Sequence, residues 1–198
     1  MHGLRCAVLL LSLSILPAAA QDRFESAAAG LSLSKPTGWA FVASGTKADV
    51  TNEDLQKAFE QQQTLPLVAM TNPQALFSNF QVTLIPRNQS LATASPRQIL
   101  ELIVLPSVQK RFPELKLEVP VRELEISGHS AAKYVATNTI RRGELAMPLR
   151  TQAILIARSK FFYLIDFTAA ADDDQATRDF EKIVSSITID PDATPNGR

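Results

Sequence analysis

The sequence predicts a single α+β domain, and three observations carry that prediction. From Leu115 to Phe167 apolar residues recur at alternate positions between short turns, as the strands of a sheet require. Beyond that run, Phe180, Ile183, Val184 and Ile187 fall at the spacing of a helix packed by one face. Strand and helix patterns that are segregated rather than alternating belong to the α+β class. The length agrees: 198 residues, less a 20-residue export signal, leave about 178, and at 45% hydrophobic content such a chain closes one core without crosslinks.

Met1 to Arg5 is a short positive start, Cys6 to Leu16 an apolar run, and Ala18-Ala19-Ala20 a small-residue cleavage site. The apolar run is shorter than the roughly 20 residues that span a bilayer. Cleavage is expected after Ala20, giving a periplasmic or secreted product. Cys6 is the only cysteine, so the mature chain has no disulfide, thiol nucleophile or thiolate metal site. Twenty basic residues balance twenty acidic ones, and loss of Arg5 leaves a net charge of −1. That balance excludes an electrostatically driven nucleic-acid binder.

Residues 21–29 read as a mobile, polar N-terminus, and 30–189 as the domain. Leu31 to Ser34 alternates as a strand, broken by Pro36-Thr37-Gly38 before Trp39 to Val42. Ser44-Gly45-Thr46 is a turn. Thr51 to Asp54 resembles a capped helix start, followed by a narrow stripe of Leu55, Ala58, Phe59 and Gln62. Leu65 to Met70 and Phe80 to Leu84 are strands. Ser95-Pro96 starts a helix that points Ile99, Leu102 and Ile103 inward, with Pro106 kinking or restarting it. After Leu115 the apolar phase shifts near Glu123, which predicts a bulge or a break. Ala131 to Ile140 and Leu145 to Ala157 are long strands, the second with Pro148 at an edge or irregularity. Phe161 to Phe167 is apolar on both faces and reads as a central strand. Asp172-Asp173-Asp174 opens the last helix, and residues 190–198 form a flexible tail.

The stretch Leu31-Ser32-Leu33-Ser34-Lys35-Pro36-Thr37-Gly38-Trp39, the Gly128-His129-Ser130-Ala131 turn, Phe161 to Leu164 and the helix Phe180 to Ile187 resemble PsbP/Mog1-like proteins, with the bacterial DcrB-type (DUF1795) group. The resemblance covers most of residues 30–189. It implies an antiparallel sheet flanked by helices, an αβα sandwich, and a role in binding rather than catalysis. No functional motif of the family is present to carry over.

Candidate chemistry is sparse. His129 is the only histidine of the mature chain and lies in a turn, without an acid and nucleophile to make it a base or enough ligands for zinc. Asp172, Asp173 and Asp174 offer oxygens to calcium, but their spacing is not that of a calcium loop and helix capping explains them. Asp166 falls inside the apolar central strand, on one face with Phe162, Leu164 and Thr168. It is a pocket acid, beside Phe162 and Tyr163, or one end of an ion pair with Arg150 or Arg158, or a residue near the strand's exposed end. Arg141, Arg142, Lys133 and Arg150 form a basic patch or, with Glu123, Glu125 and Glu144, a mixed surface. Leu76 and Phe77 are apolar residues in a loop that either tuck into the core or mark a partner surface. The segments around Gln61 to Gln63 and Pro86 to Pro96 are further contact candidates. No phosphate loop, serine elbow or zinc-protease motif occurs, and no cofactor is implied. The expectation is an exported, non-catalytic envelope protein with a protein partner or envelope component. The alternative is a small-molecule binder or carboxylate-based hydrolase with a pocket near Asp166.

Overall fold

The computed structural model describes residues 22–42, 50–75 and 77–191. The signal segment, the turn at 44–46, Leu76 and the tail beyond 191 lie outside the described residues.

In chain order the elements are β1 (Arg23–Ser26), β2 (Leu31–Ser34), β3 (Ala40–Phe41), α1 (Asn52–Glu60), β4 (Leu65–Thr71) and β5 (Asn79–Pro86). A helical arm follows, made of α2 (Pro96–Ile99), a π-helical segment (Leu100–Val104) and α3 (Leu105–Arg111). Then come β6 (Lys116–Ile126), β7 (His129–Arg142), β8 (Leu145–Ala157), β9 (Phe161–Ala170), α4 (Asp174–Ser185) and β10 (Thr188–Ile189). Seven strands form one sheet in the order β3-β4-β5-β9-β8-β7-β6, and β1-β2-β10 form a small second sheet. Every pairing is antiparallel.

The turns explain this order. Ser127 and Gly128, at φ +51° and +76°, join β6 to β7 in the two-residue hairpin whose backbone twist matches the strands. Gly143, at φ +62°, opens the equally short β7–β8 turn. Pro148 faces Thr139 of β7, and on the other side its carbonyl accepts from Ala171 N–H at 3.0 Å, just beyond the last β8–β9 pair Leu149–Ala170, so the proline sits at the end of that ladder.

The inner face of the large sheet carries Phe80, Val82, Leu84, Tyr163, Ile165 and Phe167, packed with Phe180 and Ile183 of α4, Leu55 of α1 and Leu31 and Leu33 of β2. Phe167 stacks on Phe180 with ring centroids 4.6 Å apart. The outer face holds a smaller core of Ile99, Leu100 and Leu105 against Tyr134, Leu155 and Phe162. Helices therefore lie on both sides of the sheet, as an αβα sandwich requires.

Three expectations need correction. Residues 23–26, read as mobile, form β1, because Phe24 is buried and the strand pairs along its whole length with β2. The bulge or break expected near Glu123 begins a few residues earlier, with register shifts between Leu117 and Val119 and between Val119 and Arg122, the second ending beside Glu123. In the helical arm Ile99 does point inward, but Leu102 and Ile103 are 73% and 47% exposed. The reason is the π turn: Leu105 N–H donates to the Leu100 carbonyl, five residues back, so Leu100 and Leu105 replace them on the inner side. Pro106 lies in the first turn of α3, where its missing N–H is tolerated.

Candidate functional site

The centre of the outer face is one cross-strand row. Tyr134 of β7 faces Ala153 of β8, which faces Asp166 of β9, which faces Gln81 of β5. Direct partners in an antiparallel ladder share a face, so all four side chains emerge together. Around Asp166 the row is polar: Gln81 donates to the Thr83 hydroxyl at 3.1 Å, and the Thr151 and Thr168 hydroxyls lie 3.4 Å apart.

Asp166 itself is half-buried and has no hydrogen bond or ion pair among the described residues. Burial alone raises its carboxyl from 3.8 to about 6. Tyr134 is fully buried with its hydroxyl unpartnered. Burial, and then the nearby Asp166 charge, push that phenol above its ordinary range. The sheet thus places a buried, unpartnered hydroxyl and a half-buried carboxyl without a protein partner on the same row, and the hydroxyl is costly unless something binds there.

Neither sequence-based partner reaches Asp166. Arg150 faces Ala169, an inner-face position, and its Nε meets Glu118 Oε2 at 3.0 Å. Arg158 is buried, with its guanidinium 3.2 Å from His129 Nε2. Tyr163 does not line an Asp166 pocket either: it points to the inner face, where its hydroxyl donates to the Ala29 carbonyl. Phe162 does share the outer face.

His129 is the first residue of β7 and half-buried, not an exposed turn residue. Burial and the adjacent Arg158 cation hold its imidazole below the usual range, so the neutral ring accepts from the guanidinium. Asp173 caps α4 by accepting from Ala176 N–H at 2.8 Å. Among the described residues no three His, Cys, Asp or Glu side chains form a metal-sized group. Arg141 pairs with Glu114 at 3.6 Å, and with the Arg150–Glu118 pair this makes the hairpin surface one of mixed charge.

Phe77, in the β4–β5 loop, is 44% exposed at φ +64°, a backbone region that bulky residues rarely occupy. Its neighbour Ser78 is buried with an unpartnered hydroxyl. A separate open cleft of about 710 Å³ lies where α1 approaches the β8–β9 turn, lined by Gln56, Phe59, Gln62, Pro86, Arg87 and Lys160. Asp166 is not part of its wall.

The sequence reading missed Asp179. It sits on the apolar stripe of α4 between Ala176 and Ile183, buried, with donors from Trp39 Nε1 at 3.1 Å, Gln175 Nε2 at 2.8 Å and Lys182 Nζ at 3.2 Å. An acid at an inward helical position was the available signal.

No family model matches the chain, and no curated protein matches it by sequence. Solved structures share its fold. Cyanobacterial PsbP (CyanoP) from Synechocystis sp. PCC 6803 gives a TM-score of 0.55 at 14% identity, over 85% of this chain and 91% of that one. LpqN, involved in cell envelope biogenesis of Mycobacterium tuberculosis, gives 0.51 at 14% identity, over 81% and 83%. A structure from Bacteroides thetaiotaomicron VPI-5482 gives 0.51 at 13% identity, over 88% of this chain but 50% of that one, so this chain spans half of that protein's length. The fold is therefore PsbP-like.

Proposed function

We propose that this chain is an exported, non-catalytic protein of the cell envelope that docks a protein partner through the β4–β5 loop. The observation that carries the reading is Phe77, a large aromatic side chain held out in solvent on a left-handed backbone. Aromatic residues dominate the energetics of protein interfaces. The envelope role of LpqN supports the setting. A photo-crosslinking amino acid at position 77, in cells, should yield one discrete protein adduct that Phe77→Ser competitor protein fails to suppress and wild-type competitor does suppress. Absence of any adduct from intact cells overturns the reading. Recovery of the product from the envelope fraction with Gln21 at its N-terminus tests the export step.

A second reading, a small-molecule binder or carboxylate-based hydrolase, is favoured by the unpartnered Asp166 carboxyl. It predicts that Asp166→Asn abolishes ligand-induced thermal shifts in a metabolite screen that the wild-type protein passes; a screen with no hit for the wild type removes it.

A further inference from the structure

The outer side of the helical arm carries a pattern that neither core uses. Two adjacent rows, each spaced by four residues, run along it: Leu102, Pro106 and Lys110 in one, Ile103, Ser107 and Arg111 in the other. All six are exposed. The end nearer α2 is aliphatic, with Leu102 73% and Ile103 47% exposed, and the C-terminal end is cationic. Lys110 and Arg111 make no ion pair among the described residues, whereas the neighbouring acids are both engaged: Glu101 with Arg97 at 2.9 Å and Glu114 with Arg141 at 3.6 Å. The inner side of the same arm is fixed to the sheet through Ile99, Leu100 and Leu105.

We infer that this face of residues 96–111 docks on an anionic lipid surface. Aliphatic side chains beside unpaired Lys and Arg are the composition of a helix lying in the plane of a membrane interface: the aliphatic pair enters the acyl boundary while the long cationic chains stay among the headgroups. Charge complementarity selects this occupant over a protein, because the exposed rows contain no aromatic anchor of the kind protein interfaces centre on. The π turn is what turns the aliphatic pair outward; a continuous α-helix in the spacing of the sequence would point Leu102 and Ile103 to the sheet with Ile99. Only two aliphatic side chains enter, so the attachment is shallow and reversible. No helix of the described residues is long and apolar enough to cross a membrane. The inference is independent of Phe77, which lies on another loop.

The test is sedimentation of the purified chain with vesicles of equal parts phosphatidylcholine and phosphatidylglycerol, against vesicles of phosphatidylcholine alone. Binding is expected only to the anionic vesicles and should weaken as salt rises. L102S/I103S should bind at least about tenfold more weakly, and K110Q/R111Q about 30-fold more weakly. Leu145→Ser removes a side chain that is 75% exposed on the β7–β8 hairpin and should change nothing. Far-UV circular dichroism confirms that each variant is folded; these positions are at the surface. Failure of the wild type to sediment with anionic vesicles overturns the inference, as does equal binding by L102S/I103S. A crosslink from position 103 to a protein, with vesicle binding unaffected by the double variant, would assign the face to a protein partner and overturn it equally.

Discussion

Along β9 the inner-face residues Phe161, Tyr163, Ile165, Phe167 and Ala169 are all buried, whereas on the outer face cover is complete at Phe162 and partial at Leu164, Asp166 and Thr168. The same strand serves both faces, so the difference comes from what lies above it. The inner face is closed by α4, α1 and the small sheet; the outer face has one short helical arm, packed over β6, β7 and β8. The two buried tyrosines make the contrast concrete. Tyr163 on the inner side has the Ala29 carbonyl as its partner, while Tyr134 on the outer side has none. One face is finished by the chain itself, and the other retains a buried hydroxyl and a half-buried carboxyl without protein partners, groups of the kind a binding surface needs.

Four measurements sharpen or break that contrast. Phe180→Ala removes a ring stacked on Phe167 in the inner core and should cost about 3–5 kcal/mol in chemical unfolding; a loss near that of a surface residue would show the inner face to be loosely packed. Asp166 gives a pH signature. Its carboxyl rises from 3.8 to about 6 on folding, so its stabilising contribution is full below about pH 4 and is lost as pH rises through 6. At about 1.4 kcal/mol per pH unit the loss is at most about 3 kcal/mol, reduced by the solvent access of a half-buried group. Between pH 4 and 7 the urea midpoint of the wild type should drop relative to that of Asp166→Asn. Both curves share the opposite contribution of His129, whose lowered value favours folding as pH rises, so the difference isolates Asp166. Tyr163→Phe strands a buried carbonyl and should cost about 1–3 kcal/mol, whereas Tyr134→Phe should be neutral or stabilising; equal effects would dissolve the difference between the faces. Asp173→Ala, away from both, should cost about 1 kcal/mol by removing the α4 cap, and a larger loss would point to a role for the acidic turn beyond capping.

What was legible in the sequence was local. The Thr51 and Ser95 caps, the alternation of Phe80, Val82 and Leu84, the limits of the strand 145–157 and the spacing of Phe180, Ile183 and Ile187 each declare themselves within a few residues. What was not legible depended on distant partners or on a single-residue offset. Strands β1 and β10 have four and two residues and exist because β2 lies between them. Arg150 is charged and near Asp166 in the fold, yet the period of two places it on the opposite face, so proximity did not make a pair. Leu102 and Ile103 have the right spacing to be core, and one extra residue in the helical turn reverses their direction. The unpartnered state of Asp166 and Tyr134 needed the whole row across four strands to be known.

The small sheet places the ends of the described chain at opposite ends of β2: Asp22 enters β1 beside Lys35, whose N–H donates to its carbonyl, and β10 leaves through Asp190, whose N–H donates to the Gly30 carbonyl. Its residues pack on the inner side, across the sheet from the helical arm. A tether joined before Asp22 and one joined after Pro191 would thus leave from opposite ends of β2, both on the side of the large sheet away from residues 96–111. Immobilising the protein by its N-terminus or its C-terminus should make no difference to what that arm can touch.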